Sequence, residues 1–160
     1  MEFEKPESSF GYCIFCEDIR QEVNNKLTFV GVYFGAELNV LGVLPAGIGK
    51  FCIQAMFKQR VADGLATLTF EVHMPGDDDD KPSARQVALA EQISAGLPTP
   101  PSDIEDPFFL IGMAIQVIPL EIQQEGKIQV SVVRNDKRYR LGQLKVRSLP
   151  PPSQNQEAVN

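Results

Sequence analysis

The chain has 160 residues, a formal net charge of -6 and 43% apolar residues. That length fits one domain, and the apolar content supports a core without disulfides or metals. The acidic balance argues against a nucleic-acid partner, because neutralising phosphates needs clustered cations, and no run approaches the roughly 18 apolar residues of a membrane helix.

The chain opens on MEFEKPESS, which is charged and has no apolar run. It is no secretory leader, and residues 1–9 are expected to be flexible. The three cysteines, Cys13, Cys16 and Cys52, then read as free thiols of a cytoplasmic protein. The domain itself is expected over residues 10–149.

Period two dominates the apolar pattern. Strands are expected over Phe10–Glu17, Lys26–Phe34, Ala36–Leu41, Lys50–Lys58, Ala66–Met74, Phe109–Ile118, Lys127–Arg134 and Tyr139–Arg147. The clearest is Ala66–Met74, where Leu68, Phe70, Val72 and Met74 alternate with Thr67, Thr69, Glu71 and His73. Phe51, Ile53, Ala55 and Phe57 form another apolar face, as do Ile128, Val130 and Val132. Asn24-Asn25 and Asn135-Asp136 are placed for tight hairpin turns, since Asn and Asp tolerate positive φ. In the last strand the apolar parity changes between Tyr139, Leu141 and Leu144, Val146. A β-bulge at Gly142 would return all four to one face.

One stretch breaks the pattern. No strand is expected from Pro75 to Pro107. Ser83–Ala95 has helix-forming composition, with Ser83 placed to cap it. The excursion over residues 76–107 is far longer than an ordinary connection, which marks it as functional or disordered. The proline-rich tail, residues 150–160, is expected to be disordered. Seven or eight short strands with little helix give a mostly β chain, an antiparallel β-sandwich of the Ig-like or C2-like kind.

The stretch Phe15–Tyr33 carries Glu17, Asp18, Ile19, Arg20, Lys26, Leu27, Gly31 and Tyr33. It resembles the opening of an uncharacterised family of short bacterial proteins, some of them phage-borne. The resemblance implies a compact β domain of bacterial or phage origin. It implies no activity, and Glu17 stands where that family has Asp.

Cys13 and Cys16 have metal-knuckle spacing, but on a strand they point to opposite faces. They read as small buried hydrophobes. Glu17 and Asp18 diverge on an extended chain, and an ion pair to Arg20 suits them better than acid–base work. The run Asp77–Asp80 would serve calcium only with further oxygens, from Asp63, Asp103, Asp106 or Asp136. A solvated acidic run is the simpler reading. His73 is the only histidine and lies on the polar parity of its strand. Gly47-Ile-Gly49-Lys50 lacks the spacing of a phosphate loop and reads as a turn. The basic stretch holds Arg134, Lys137, Arg138, Arg140, Lys145 and Arg147. Edge-strand protection is preferred for it over a cationic binding strip.

No catalytic, cofactor or metal residue is assigned, and the chain is read as no enzyme. The preferred function is a non-enzymatic protein-interaction or structural module that uses Gly76–Pro107 for contact. The alternatives are a calcium-dependent C2-like domain binding a ligand or membrane and, last, a small enzyme with an unfamiliar site. An unknown protein partner is expected, with no nucleic acid and no membrane. Self-association into a homo-oligomer stays open.

Overall fold

The computed structural model describes residues 9–99, 103–104 and 107–151. The flexible start expected at 1–9 lies outside them except for Ser9, and of the tail at 150–160 only Pro150 and Pro151 are described.

The protein is mostly β. Its strands are β1 (Ser9–Cys16), β2 (Asp18–Gln21), β3 (Leu27–Val30), β4 (Glu37–Leu41), β5 (Ala46–Ile48), β6 (Phe51–Arg60), β7 (Leu68–His73), β8 (Ala84–Ala88), β9 (Phe108–Val117), β10 (Leu120–Ile122), β11 (Gly126–Arg134) and β12 (Lys137–Leu149). One short helix, α1 (Ala90–Gly96), follows β8. The five-stranded sheet has the order β4-β12-β11-β7-β8, and the three-stranded sheet the order β1-β6-β9. Two short pairs, β2-β3 and β10-β5, complete the set. All pairings are antiparallel except β4 with β12.

Among the described residues there are twelve strands in four sheets, more than the seven or eight expected. The additional strands are β2, β5, β8 and β10. Gly47 and Ile48, expected in a turn, pair with Glu121 and Leu120 instead. Strands of three or four residues are too short to show a period in the sequence.

The segment expected to hold no strand contains β8. Ala84–Ala88 pairs with Leu68–Val72 of β7 in five successive positions. Its residues favour helix in isolation, but the unpaired backbone groups of β7 offer a ladder, and tertiary pairing overrides propensity. The helix shrinks accordingly to Ala90–Gly96, and Ser83 does not cap it.

The core lies between the inner faces of the two larger sheets. Phe15, Phe51, Ile53 and Phe57 meet Phe70, Val130, Val132, Leu144 and Val146 there, all buried. The Phe57 and Tyr139 rings are 5.2 Å apart across the gap. The turn expectations hold: Asn24, Asn25, Asn135 and Asp136 all have positive φ. The bulge also holds. Val130 pairs with Gly142 while Ser131 pairs with Arg140, so Leu141 is the extra residue. Leu141, Leu144 and Val146 are then all buried on the core side.

No helix among the described residues is long and apolar enough to cross a membrane.

Candidate functional site

Alternation fixes the outer face of the five-stranded sheet. With Leu68, Phe70 and Val72 turned inward, Thr69, Glu71 and His73 of β7 face out. On β11, Lys127, Gln129, Ser131 and Val133 face out. On β12 the bulge keeps Arg138, Arg140, Lys145 and Arg147 together on that face. β12 is the second strand of five, with β4 on one side and β11 on the other. The expectation that its cations guard a sheet edge is corrected for Lys145 and Arg147, which β4 pairs in parallel, whereas Arg138 and Arg140 lie on the part of β12 that β4 does not pair.

The basic stretch divides by role. Arg134 is structural: its Nε donates to Gln59 Oε1 at 3.1 Å, and its Nη2 donates to the carbonyls of Asp63 and Gly64. Lys137 lies 4.9 Å from the centre of the Tyr139 ring. Arg138 pairs with Glu71 at 3.0 Å, and Arg147 with Glu37 at 3.1 Å. Arg140 and Lys145 make no ion pair among the described residues, and neither does Lys127, the direct cross-strand neighbour of Lys145.

Glu71 is buried although it sits on the outer face. Arg85 from β8 and Arg138 from β12 each hold one of its carboxylate oxygens at 3.0 Å. Two charge-assisted bonds satisfy a carboxylate that water does not reach.

Beside this clamp lies a cleft of roughly 580 Å³. Its floor is Gln129, Ser131 and Arg140, and its wall is the loop from His73 to Asp79. Asp77 and Asp79 of the acidic run, the histidine, and Arg138 and Arg140 of the basic stretch thus meet in one place, although they are far apart in sequence. Ser131 is only 7% exposed, and its hydroxyl has no hydrogen-bond partner.

Asp77 builds the wall. Its Oδ2 accepts the backbone N–H groups of Met74 and Ser83, and its Oδ1 accepts the Ser83 hydroxyl. Burial raises its pKa, but the Met74 and Ser83 bonds outweigh that and hold the carboxyl below its ordinary value. Ser83, read in the sequence as a helix cap, is a loop staple instead. Asp78 pairs with Lys81 at 3.7 Å in an exposed bridge. The Asp79 carbonyl lies 3.1 Å from His73 Nε2. Of the other aspartates weighed for calcium, Asp63 accepts Arg60 at 3.3 Å, and Asp106 lies outside the described residues. No three His, Cys, Asp or Glu residues gather for a metal among the described residues.

The remaining motifs are structural. Asp18 binds both Lys50 and Arg20. Lys50 first, then Arg20, holds its carboxyl below the ordinary value. The ion pair to Arg20 was legible in the sequence, but the one to Lys50 was not. Cys16 is buried and Cys13 half-buried, on opposite faces as alternation requires. Burial pushes the Cys13 thiol up to about 12, and burial followed by the neighbouring Cys52 thiol pushes Cys16 up to about 11. Such thiols stay protonated and unreactive near neutral pH.

Comparison of the chain with family models, with curated proteins and with solved structures finds no match.

Proposed function

We propose that this chain is a non-enzymatic interaction module, built on a β-sandwich of the Ig-like or C2-like kind. It takes an acidic protein partner on the outer face of its five-stranded sheet. The observation that carries the reading is the row of Lys127, Lys145 and Arg140, cations without carboxylate partners on a chain of net charge -6. Like charges placed directly opposite on neighbouring strands destabilise a sheet. A face that concentrates them suits a complementary negative surface that steers and orients a partner.

The excursion over residues 76–107 belongs to the same reading. Its first residues wall the cleft, and β8 supplies Arg85 to the clamp on Glu71. Loops and edge elements carried on a rigid sheet are where recognition concentrates.

The test is a quantitative pull-down from nuclease-treated lysate, with the intact chain beside a variant carrying Lys127→Glu and Lys145→Gln. Both positions are exposed, so the variant keeps its fold. The expected result is a protein retained by the intact chain and lost from the variant, in a salt-dependent manner. Equal recovery by both chains refutes this face as the contact surface.

A further inference from the structure

The cleft beside the Glu71 clamp holds two cations without ion-pair partners among the described residues, and these point to its ligand. Across its floor the register places Glu71, Ser131 and Arg140 side by side on β7, β11 and β12. Lys127, Arg138 and Arg140 line the cleft together with Asp77, Asp79 and Glu125, and of the three cations Lys127 and Arg140 make no ion pair among the described residues. Arg140 brings a guanidinium with five N–H groups and has no partner among the described residues. Lys127 brings an ammonium, and Gln129 brings an amide.

The acceptors are largely occupied. Both oxygens of Glu71 hold arginines, and both oxygens of Asp77 hold the N–H and O–H groups of their own loop. Glu125 Oε1 accepts the backbone N–H of Ser148 at 2.7 Å. Asp79 stands exposed at the rim.

Ser131 supplies the second, independent observation. A buried hydroxyl without a partner bears its desolvation cost uncompensated. The next outward position on the same strand is Val133, so this face accepts apolar side chains. A serine without a partner among the described residues, on the floor of a cleft that also holds Arg140 and Lys127, is an unfilled hydrogen-bond position.

We propose that this cleft binds a tetrahedral oxyanion, a phosphoryl or sulfuryl group, between the Ser131 hydroxyl and the Arg140 guanidinium. The inference deepens the reading of this face as a recognition surface and rests on it. Planar guanidinium groups match such anions with two parallel hydrogen bonds, and the serine hydroxyl adds a third donor from below. The oxyanion has acceptor oxygens to spare, which is what the cleft lacks.

The experiment is amide and arginine-side-chain NMR of the full chain, titrated with inorganic phosphate, inorganic sulfate and glucose 6-phosphate. Saturable shifts centred on Ser131, Gln129 and the Arg140 Nε–H are expected. Tighter binding of glucose 6-phosphate identifies an ester as the source, and equal binding identifies the free anion. Arg140→Gln is expected to weaken binding at least about tenfold, as loss of charge-assisted bonds does. Ser131→Ala is expected to weaken it about fivefold while raising the melting temperature of the free chain, because an unsatisfied buried group is removed.

Shifts that survive Arg140→Gln, or no saturable shift with any of the three anions, overturn the proposal. A melting temperature lowered by Ser131→Ala also overturns it, since the hydroxyl would then be a structural partner. Lys127 lines the cleft and is changed in the pull-down variant, so Lys145→Gln alone, which leaves every cleft residue in place, is run beside it, and failure of the anion site and failure of the protein contact are read separately.

Discussion

Lys127 on β11 stands directly opposite Lys145 on β12, and neither has a carboxylate partner among the described residues. Directly opposed residues of an antiparallel pair hold their Cβ atoms about 5 Å apart, so the two ammonium groups repel. On its other side Lys145 is in register with Glu37, but that carboxylate is held by Arg147 at 3.1 Å. Lys127→Glu therefore converts a repulsion into an attraction. The substitution is expected to raise stability by about 0.2–1 kcal/mol in low salt, with the gain shrinking as salt screens it. Urea unfolding at two ionic strengths measures this. A loss of stability in low salt would mean that the two lysines do not feel each other.

Glu71 on β7 ties that strand to β8 and to β12. Its side chain is 4% exposed, while those of Arg85 and Arg138 are 53% and 49% exposed. Glu71→Ala removes both pairs at once and is expected to destabilise by about 2–3 kcal/mol, the scale of hydrogen bonds to charged groups. Arg85→Ala leaves Arg138 on the carboxylate and frees no buried charge completely, so its expected loss is below about 1 kcal/mol. Chemical denaturation of both variants decides the matter. Equal losses would show that Arg138 alone cannot hold the carboxylate.

The Asp77 staple predicts a particular acid behaviour. Its carboxyl is held below its ordinary value in the folded chain, so the unfolded chain takes up the proton first as pH falls. Its contribution is complete above the unfolded value, near pH ~4, and is lost as pH drops through the lower folded value. Asn cannot accept at both of its polar atoms, so Asp77→Asn is expected to melt lower than the parent at pH 7. The two melting curves are expected to converge below pH ~4. A gap that stays constant from neutral to acid pH would contradict the assignment.

Much of the fold was legible because alternation is local. Leu68, Phe70 and Val72, and the parity change at Gly142, announced a strand and a bulge without knowledge of any neighbour. β8 was hidden because Ala84–Ala88 has a helical composition, and only the waiting edge of β7 makes it a strand. The site was hidden for a related reason. Strand order leaves no local trace, so nothing in the sequence placed β12 inside the sheet, and its cations read as edge guards. The burial of Glu71 and of Ser131 depends on side chains brought in by other strands, a property of the register and not of either residue's own neighbourhood. His73 was correctly placed on the polar parity, but parity alone could not say that a cleft lay in front of it.

Gly11 on β1 packs against the bulge of β12. A Cβ built there would lie 2.4 Å from the Met56 carbonyl oxygen and 2.4 Å from Cδ2 of Leu141, the extra residue of the bulge. The leucine can turn away, but the carbonyl belongs to the β1–β6 ladder and cannot move without breaking it. Gly11→Ala is therefore expected to destabilise by about 1–3 kcal/mol through overpacking. Adding Leu141→Ala relieves only the side-chain half of the clash and opens a cavity in its place, so the double variant is expected to be less stable still. Gly35, whose Cβ would meet nothing within 4 Å, serves as the control, and Gly35→Ala is expected to leave the melting temperature nearly unchanged. If Gly11→Ala behaves like Gly35→Ala, β1 does not approach β12 as closely as the bulge requires, and the packing of the two sheets around Leu141 would have to be redrawn.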